Sequence, residues 1–167
     1  MNLKSRAPAS THKKVVVLLL DGTSLPGYLN PAGVATAETI DLLTPEGEHQ
    51  AVKITDVKMV YFVADLNQPF EPTRTSFLSR PKIEGLWVKM TFQDGDTLEG
   101  IAANELLEVL DRGIQITPPD LHGNCLRIFV PRTSVTEVKV LGVVGTAKRA
   151  VRAASTPLPE QPRLFNE

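Results

Sequence analysis

A chain of 167 residues with 18 Lys and Arg against 19 Asp and Glu carries a formal net charge of -1; at 42% hydrophobic and 22% charged it has an ordinary globular balance, which excludes wholesale disorder. The charge is even along the chain, six basic against seven acidic residues in 1–70 and twelve of each in 71–167, so the basic excess of a dedicated duplex-DNA binder is missing. A single cysteine, Cys125, excludes an internal disulfide and a thiolate metal cluster.

Residues 1–13 read as a disordered tail with a basic character from Lys4, Arg6 and Lys13. The apolar run that follows, Val15–Leu20, stops at Asp21-Gly22. It is far short of the ~20 residues that span a bilayer and of a secretory h-region, so a cytoplasmic location is expected. Val15–Leu20 is a first strand, and Asp-Gly after it signals a tight hairpin whose Gly needs positive φ. The returning strand carries Gly27, which marks a bulge or sharp bend. Ile40–Thr44 reads as a third strand ending at Pro45, Val52–Ile54 as a fourth, Thr55-Asp56 as a one-turn crossover and Val57–Val63 as a fifth.

Residues 64–85 break the strand pattern with Gln68-Pro69-Phe70-Glu71-Pro72 and Ser79-Arg80-Pro81-Lys82, and read as a linker. Phe70, Phe77 and Leu78 are too apolar for a free tether and predict a linker packed on the strands. Beyond it the first set of elements recurs: Leu86–Phe92, the turn Asp94-Gly95, a strand with Gly100, Gly113–Thr117, Arg127–Val130, a crossover at Pro131–Ser134, and Val135–Val143. Asn104–Leu110 suits one or two helical turns or a strand. Residues 146–167 read as a tail, first a short basic helix over Ala147–Ala154, then a stretch broken by Pro157, Pro159 and Pro162.

The recurrence is residue-specific. Asp21, Gly22, Leu25 and Gly27 fall on Asp94, Gly95, Leu98 and Gly100 at one constant offset, and Leu43-Thr44-Pro45 falls on Ile116-Thr117-Pro118 at the same offset. Val52–Phe62 resembles Ile128–Val140 after a few inserted residues. Self-similarity at fixed spacing signals repeated units. The expectation is an all-β chain of two tandem small barrels, 14–63 and 86–145, related by internal duplication.

The φ-x-φ-x-x-Gly-x-x-φ-x-Gly hairpin, with φ apolar, and the closing Val-x-x-Val strand resemble SH3-like and Sm-like small barrels. The chain is also similar to an uncharacterised bacterial family with two such halves, through Tyr61-Phe62-Val63, Phe77-Leu78-Ser79-Arg80-Pro81, Glu84-Gly85-Leu86-Trp87-Val88 and Thr117-Pro118-Pro119. That resemblance implies a fold and no function. Lone barrels of this size have marginal cores, so the halves are expected to pack on each other or on a second chain. The alternative fold is one fused β-structure with strands of both halves sharing a sheet.

No catalytic constellation is present in the sequence. His12, His49 and His122 are scattered and read as exposed tail and loop residues. His122 and Cys125 are spaced like two zinc ligands but lack a second pair, and nothing near Cys125 would depress its pKa. There is no Gly-x-Ser-x-Gly elbow and no phosphate-binding Gly loop. No enzyme activity, cofactor or metal is expected. Three binding readings remain. First is a protein–protein adaptor or homo-oligomer, anchored by Trp87 or Phe70 if these are exposed; burial of Trp87 and of the Phe70–Phe77 linker removes that support. Second is RNA binding, which small Sm-like barrels often show, with Tyr28, Asn30, Arg112, Asn124, Arg127 and Arg132 as loop candidates. Third is a cyclic dinucleotide held by Arg74 and Arg80 ahead of the second barrel. The PilZ-type motif that this resembles has its arginines paired and a different acidic position.

Overall fold

The computed structural model describes residues 11–34, 36–105, 107 and 111–145. β1 (Lys13–Leu19) and β2 (Ser24–Leu29) form the first hairpin, and β6 (Gly85–Phe92) and β7 (Thr97–Ala102) the second. Both turns close as the Asp-Gly pairs dictate. Gly22 and Gly95 take φ of 90° and 89°, and the preceding aspartate accepts a backbone N–H two residues on, Thr23 to Asp21 at 2.8 Å and Asp96 to Asp94 at 3.0 Å. The six residue pairs of each hairpin, Lys13↔Leu29 to Leu18↔Ser24 and Leu86↔Ala102 to Thr91↔Thr97, are in the same register at the constant offset seen in the sequence.

The remaining strands are β3 (Thr39–Leu43), β4 (His49–Lys53), β5 (Val57–Val63), β8 (Gly113–Thr117), β9 (Cys125–Pro131) and β10 (Val135–Val144). The expected crossovers are one-turn 3-10 helices, Ile54–Asp56 and Arg132–Ser134. A single helical turn, α1 (Pro31–Val34), follows β2 and is absent from the sequence reading. His49 lies at the start of β4 rather than in a loop, and its Nδ1 is 3.1 Å from Asp41 Oδ1.

All strands pair antiparallel in one open sheet of order β10-β6-β7-β8-β9-β5-β1-β2-β3-β4. Within each half the order is the same: β5-β1-β2-β3-β4 and β10-β6-β7-β8-β9. The halves meet through β5 and β9, which pair from Val60↔Phe129 to Val63↔Cys125. The strands therefore build one continuous sheet instead of two closed, separate barrels, which is the fused alternative.

The residues of β5 explain this outcome. All seven are buried. Val57, Val60 and Phe62 enter one core with Val15, Val17, Leu29, Ile40 and Leu42, whereas Met59, Tyr61 and Val63 enter the other with Val88, Met90, Ile116 and Ile128. A strand apolar on both faces cannot lie at an edge with one face in water, so it is sandwiched between β1 and β9. The exchange is mutual: Phe129 of β9 sits in the first core, and Val16 of β1 in the second.

Gly27 and Gly100 hold their positions through close approach. A Cβ on Gly27 would stand 2.5 Å from the Leu43 carbonyl, and one on Gly100 would overlap Ile116. These are the points where β2 and β7 meet β3 and β8, pairing through Tyr28↔Leu43 and Ile101↔Thr117. Positions 1–10, 35, 106, 108–110 and 146–167, including most of the expected N-terminal tail, the expected C-terminal tail and most of the ambiguous 104–110 stretch, lie outside the described residues. Lys13, placed in the tail by the sequence, opens β1. No described helix is long and apolar enough to cross a membrane.

Candidate functional site

The linker is packed on the sheet along much of its length through Phe70 and Phe77, whereas Leu78, expected to pack with them, stands exposed. Asn124 pins its start: its amide N–H groups donate to the Asp65 and Pro69 carbonyls at 2.8 and 3.1 Å, and its Oδ1 accepts from Asp65 N–H at 2.8 Å. The Phe70 ring lies against Tyr61 with centroids 5.1 Å apart. Thr73 donates to Asp120 at 2.7 Å. Glu99 of β7 then holds the middle. Its backbone N–H donates to the Thr75 carbonyl at 2.7 Å, and its Oε2 accepts from Phe77 N–H at 3.1 Å and from Trp87 Nε1 at 3.0 Å. Phe77 meets Trp87 edge-on at 6.2 Å.

Trp87, Phe70 and Phe77 are thus half-buried staples, and the adaptor reading loses Trp87 and Phe70 as anchors. What the fastened linker leaves outside is Leu78, 80% exposed, and beside it Leu121 of the β8–β9 turn, 55% exposed. Arg74, Arg80 and Lys82 line the same cavity of about 350 Å³. The structure therefore brings the two arginines singled out in the sequence to one place, and adds a lysine and two leucines. Arg80 is tied back by one bond from Nη2 to the Val143 carbonyl at 2.9 Å.

The other sequence candidates lie apart. Arg127, exposed on β9, lines a cavity with Ile83 and Gln115. Arg132 lines another of about 390 Å³ with Arg112 and Phe129, and Arg112 Nη1 donates to the Thr36 carbonyl at 2.9 Å. Tyr28 is half-buried in β2, and Asn30 Oδ1 accepts the Ala32 N–H at 3.1 Å, capping α1. Asn124 is the linker clamp. These six positions form no single basic and aromatic track.

Cys125 is buried, and desolvation pushes its thiol up to about 12. His122 is exposed in the turn before it. Among the described residues no cluster of three or more His, Cys, Asp or Glu is placed to hold a metal ion.

A second polar cluster was not legible in the sequence. Lys58, 8% exposed, occupies the bulge where the β1–β5 register shifts and reaches across to the β6–β7 turn. Its Nζ donates to Asp94 at 2.5 Å and Asp96 at 2.7 Å and lies 5.2 Å from the Phe92 ring centre. The Lys58 hydrogen bond holds the Asp94 carboxyl below its ordinary range. Burial works against the Lys58 ammonium, but the two aspartates outweigh it and raise its pKa. The only hint in sequence was a charged residue at the start of an otherwise apolar strand.

No curated protein and no solved structure matches the chain. One family model does, over residues 11–142, most of the chain and both halves of the sheet, and its description is a family of unknown function (DUF6982). The chain belongs to that family.

Proposed function

We propose that this is a non-catalytic interaction protein, built from a duplicated five-stranded unit related to SH3-like and Sm-like barrels, whose linker groove binds an acidic, apolar-anchored segment of a partner protein. The observation that carries the reading is the convergence of Arg74, Arg80 and Lys82 around exposed Leu78 and Leu121. Two leucines offer a small apolar anchor site, and three cations around them favour carboxylates and steer their approach. The equal strand order and hairpin register of the two halves support the duplication. Fastening by Asn124, Thr73 and Glu99 gives the groove a preformed wall, which lowers the ordering cost of binding.

The test is selection of random peptides displayed on phage against the purified protein. Enriched peptides are expected to combine Asp or Glu with Leu or Phe. Their affinity should fall about fivefold or more in Leu78→Ser, the loss typical of an interface anchor costing about 1 kcal/mol. It should fall further in the Arg74→Glu, Arg80→Glu double variant. Enrichment of peptides without acidic residues, or equal binding to the charge-reversed variant, would remove the reading.

A cyclic dinucleotide is the second reading, favoured by the single fact that Arg74 and Arg80 share one cavity. Guanidinium pairs match phosphate geometry. A thermal shift with cyclic dinucleotides that disappears in Arg74→Ala would replace the peptide by this ligand. The RNA candidates are divided: Arg112 and Arg132 share one cavity with Phe129, while Arg127 lines another and Tyr28 and Asn30 lie on β2 and before α1.

A further inference from the structure

A second cavity, of about 460 Å³, lies where β5, the linker and the β6–β7 hairpin meet. Its walls are mixed. Met59 and Leu98 supply apolar surface, and Lys58, Tyr61, Glu71 and Asp96 supply the polar groups.

Tyr61 is the informative member. The residue is only 4% exposed, yet its hydroxyl donates to no described residue, although polar groups at such depth are ordinarily satisfied. It is not sealed off, because no described side-chain atom is both buried and unpartnered. The hydroxyl therefore opens into the cavity. Glu71 and Asp96 lie close enough for their charges to add to burial in raising the phenol's pKa.

The sign of the charge selects the ligand. Lys58 is already held between Asp94 and Asp96 and brings no uncompensated positive charge. Glu71 makes no ion pair with a described residue. The cavity thus presents a net negative charge, acceptors at Glu71, Asp96 and the Tyr61 Oη, and an apolar wall. A metal ion does not suit it, since the carboxylates are not clustered with a third ligand. An ammonium offers three donors to a cavity lined by these acceptors, and an alkyl stem suits its Met59 and Leu98 wall.

We propose that this cavity is a binding site for a primary alkylammonium group, carried either by a small free diamine or by a lysine side chain of a partner.

The experiment is titration of the full chain with 1,4-diaminobutane, with Nα-acetyl-lysine methylamide, and with 1,4-butanediol as the uncharged control, followed by calorimetry and by backbone amide NMR. At least one amine is expected to bind and to shift amides of β5, of residues 71–75 and of the 94–98 turn. Tyr61→Phe and Glu71→Gln should each weaken it by about tenfold, as expected for a hydrogen bond to a charged group. Tighter binding of the diamine identifies a small-molecule source; tighter binding of the lysine analogue identifies a partner's side chain. Neither variant should lower Tm, because neither group makes a bond within the described chain. Butanediol binding as well as the amines, or neither amine binding at millimolar concentration, would overturn the proposal. So would a Tm loss in Tyr61→Phe as large as that of a core deletion, since the hydroxyl would then have an internal partner.

Discussion

Phe129 is the residue on which the unity of the two halves can be tested. It belongs to β9, in the second half of the chain, but it is 7% exposed within the first core, among Val15, Val17, Leu42 and Phe62. Removing a buried phenyl ring typically costs roughly 3–5 kcal/mol, the transfer of the ring plus the cavity left behind. In a cooperative unit of this length each kcal/mol lowers Tm by about 2–4 °C, so Phe129→Ala should fall by about 6–20 °C. Val17→Ala tests the same link from the other side. Val17 is fully buried in the first core, and its truncation should cost roughly 2 kcal/mol, or about 4–8 °C. The assay is thermal unfolding followed by far-UV circular dichroism, which sees both halves, and by fluorescence of Trp87, the single tryptophan, which sees β6 of the second half. With β5 sandwiched between β1 and β9, both probes should give one coincident transition, and both variants should move it intact. Two independent barrels would respond otherwise. Val17→Ala would then leave the Trp87 transition where it was while the dichroism curve split in two, and that result would refute the shared-sheet argument.

Other perturbations read the linker and the clusters around it. Glu99→Ala removes the acceptor of both Phe77 N–H and Trp87 Nε1; it should cost roughly 1.5–3 kcal/mol, red-shift the Trp87 emission and open residues 73–80 to limited proteolysis. Lys58→Met isolates the aspartate clamp. Asp94 is held below its ordinary value by Lys58, so the clamp's contribution is present above the carboxylate range and lost as pH falls through the folded value. Lys58 is shifted upward, so its share is lost only at strongly alkaline pH. The stability gap between wild type and Lys58→Met, measured by urea unfolding, should therefore be flat from about pH 5 to about pH 9 and close below that. Cys125, buried with its thiol pushed up to about 12, should resist alkylation in the folded protein at mildly alkaline pH and react promptly in urea. Fast labelling of the native chain would show that β9 opens locally.

Most strands were legible because their signals are local. Asp21-Gly22 and Asp94-Gly95 fix the two hairpins, the Gly27 and Gly100 positions record a close approach that no side chain allows, and the constant offset between them survives as an identical register. What could not be read was which strand pairs with which across the halves. The sequence of β5, Val57-Lys58-Met59-Val60-Tyr61-Phe62-Val63, suits a barrel's closing strand or a shared central strand equally well, and only the presence of β9 decides. Residues whose role depends on that long-range arrangement were missed for the same reason. Glu99, at an outward position of a strand, resembles any solvent-facing glutamate until the linker folds over it, and Lys58 needs the turn of the other half to find its partners. Arg74 and Arg80 were found because both lie in one short segment, so proximity in sequence carried proximity in space.

Among the described residues the two edge strands of the sheet differ from the strands at its internal junction. By their pairing with β1 and β6, Tyr61 and Phe62 of β5 have Lys139 and Val140 of β10 as counterparts. The pairs Tyr28↔Leu43 and Ile101↔Thr117 make Thr117 the counterpart of Leu43, one residue from the offset expected in sequence, so Ala51 stands opposite Asp41 as Phe129 stands opposite Gln115. Where the internal junction is aromatic, the two ends of the sheet carry a lysine, a valine and an alanine. Lys139 puts a charge on the edge strand, which makes that stretch a poor template for another strand. The part of β10 that stays apolar, Val140, Leu141 and Val143, lies where Arg80 reaches over from the linker to take the Val143 carbonyl. Arg80 thus holds a carbonyl of the edge strand, and it also lines the groove beside Leu78.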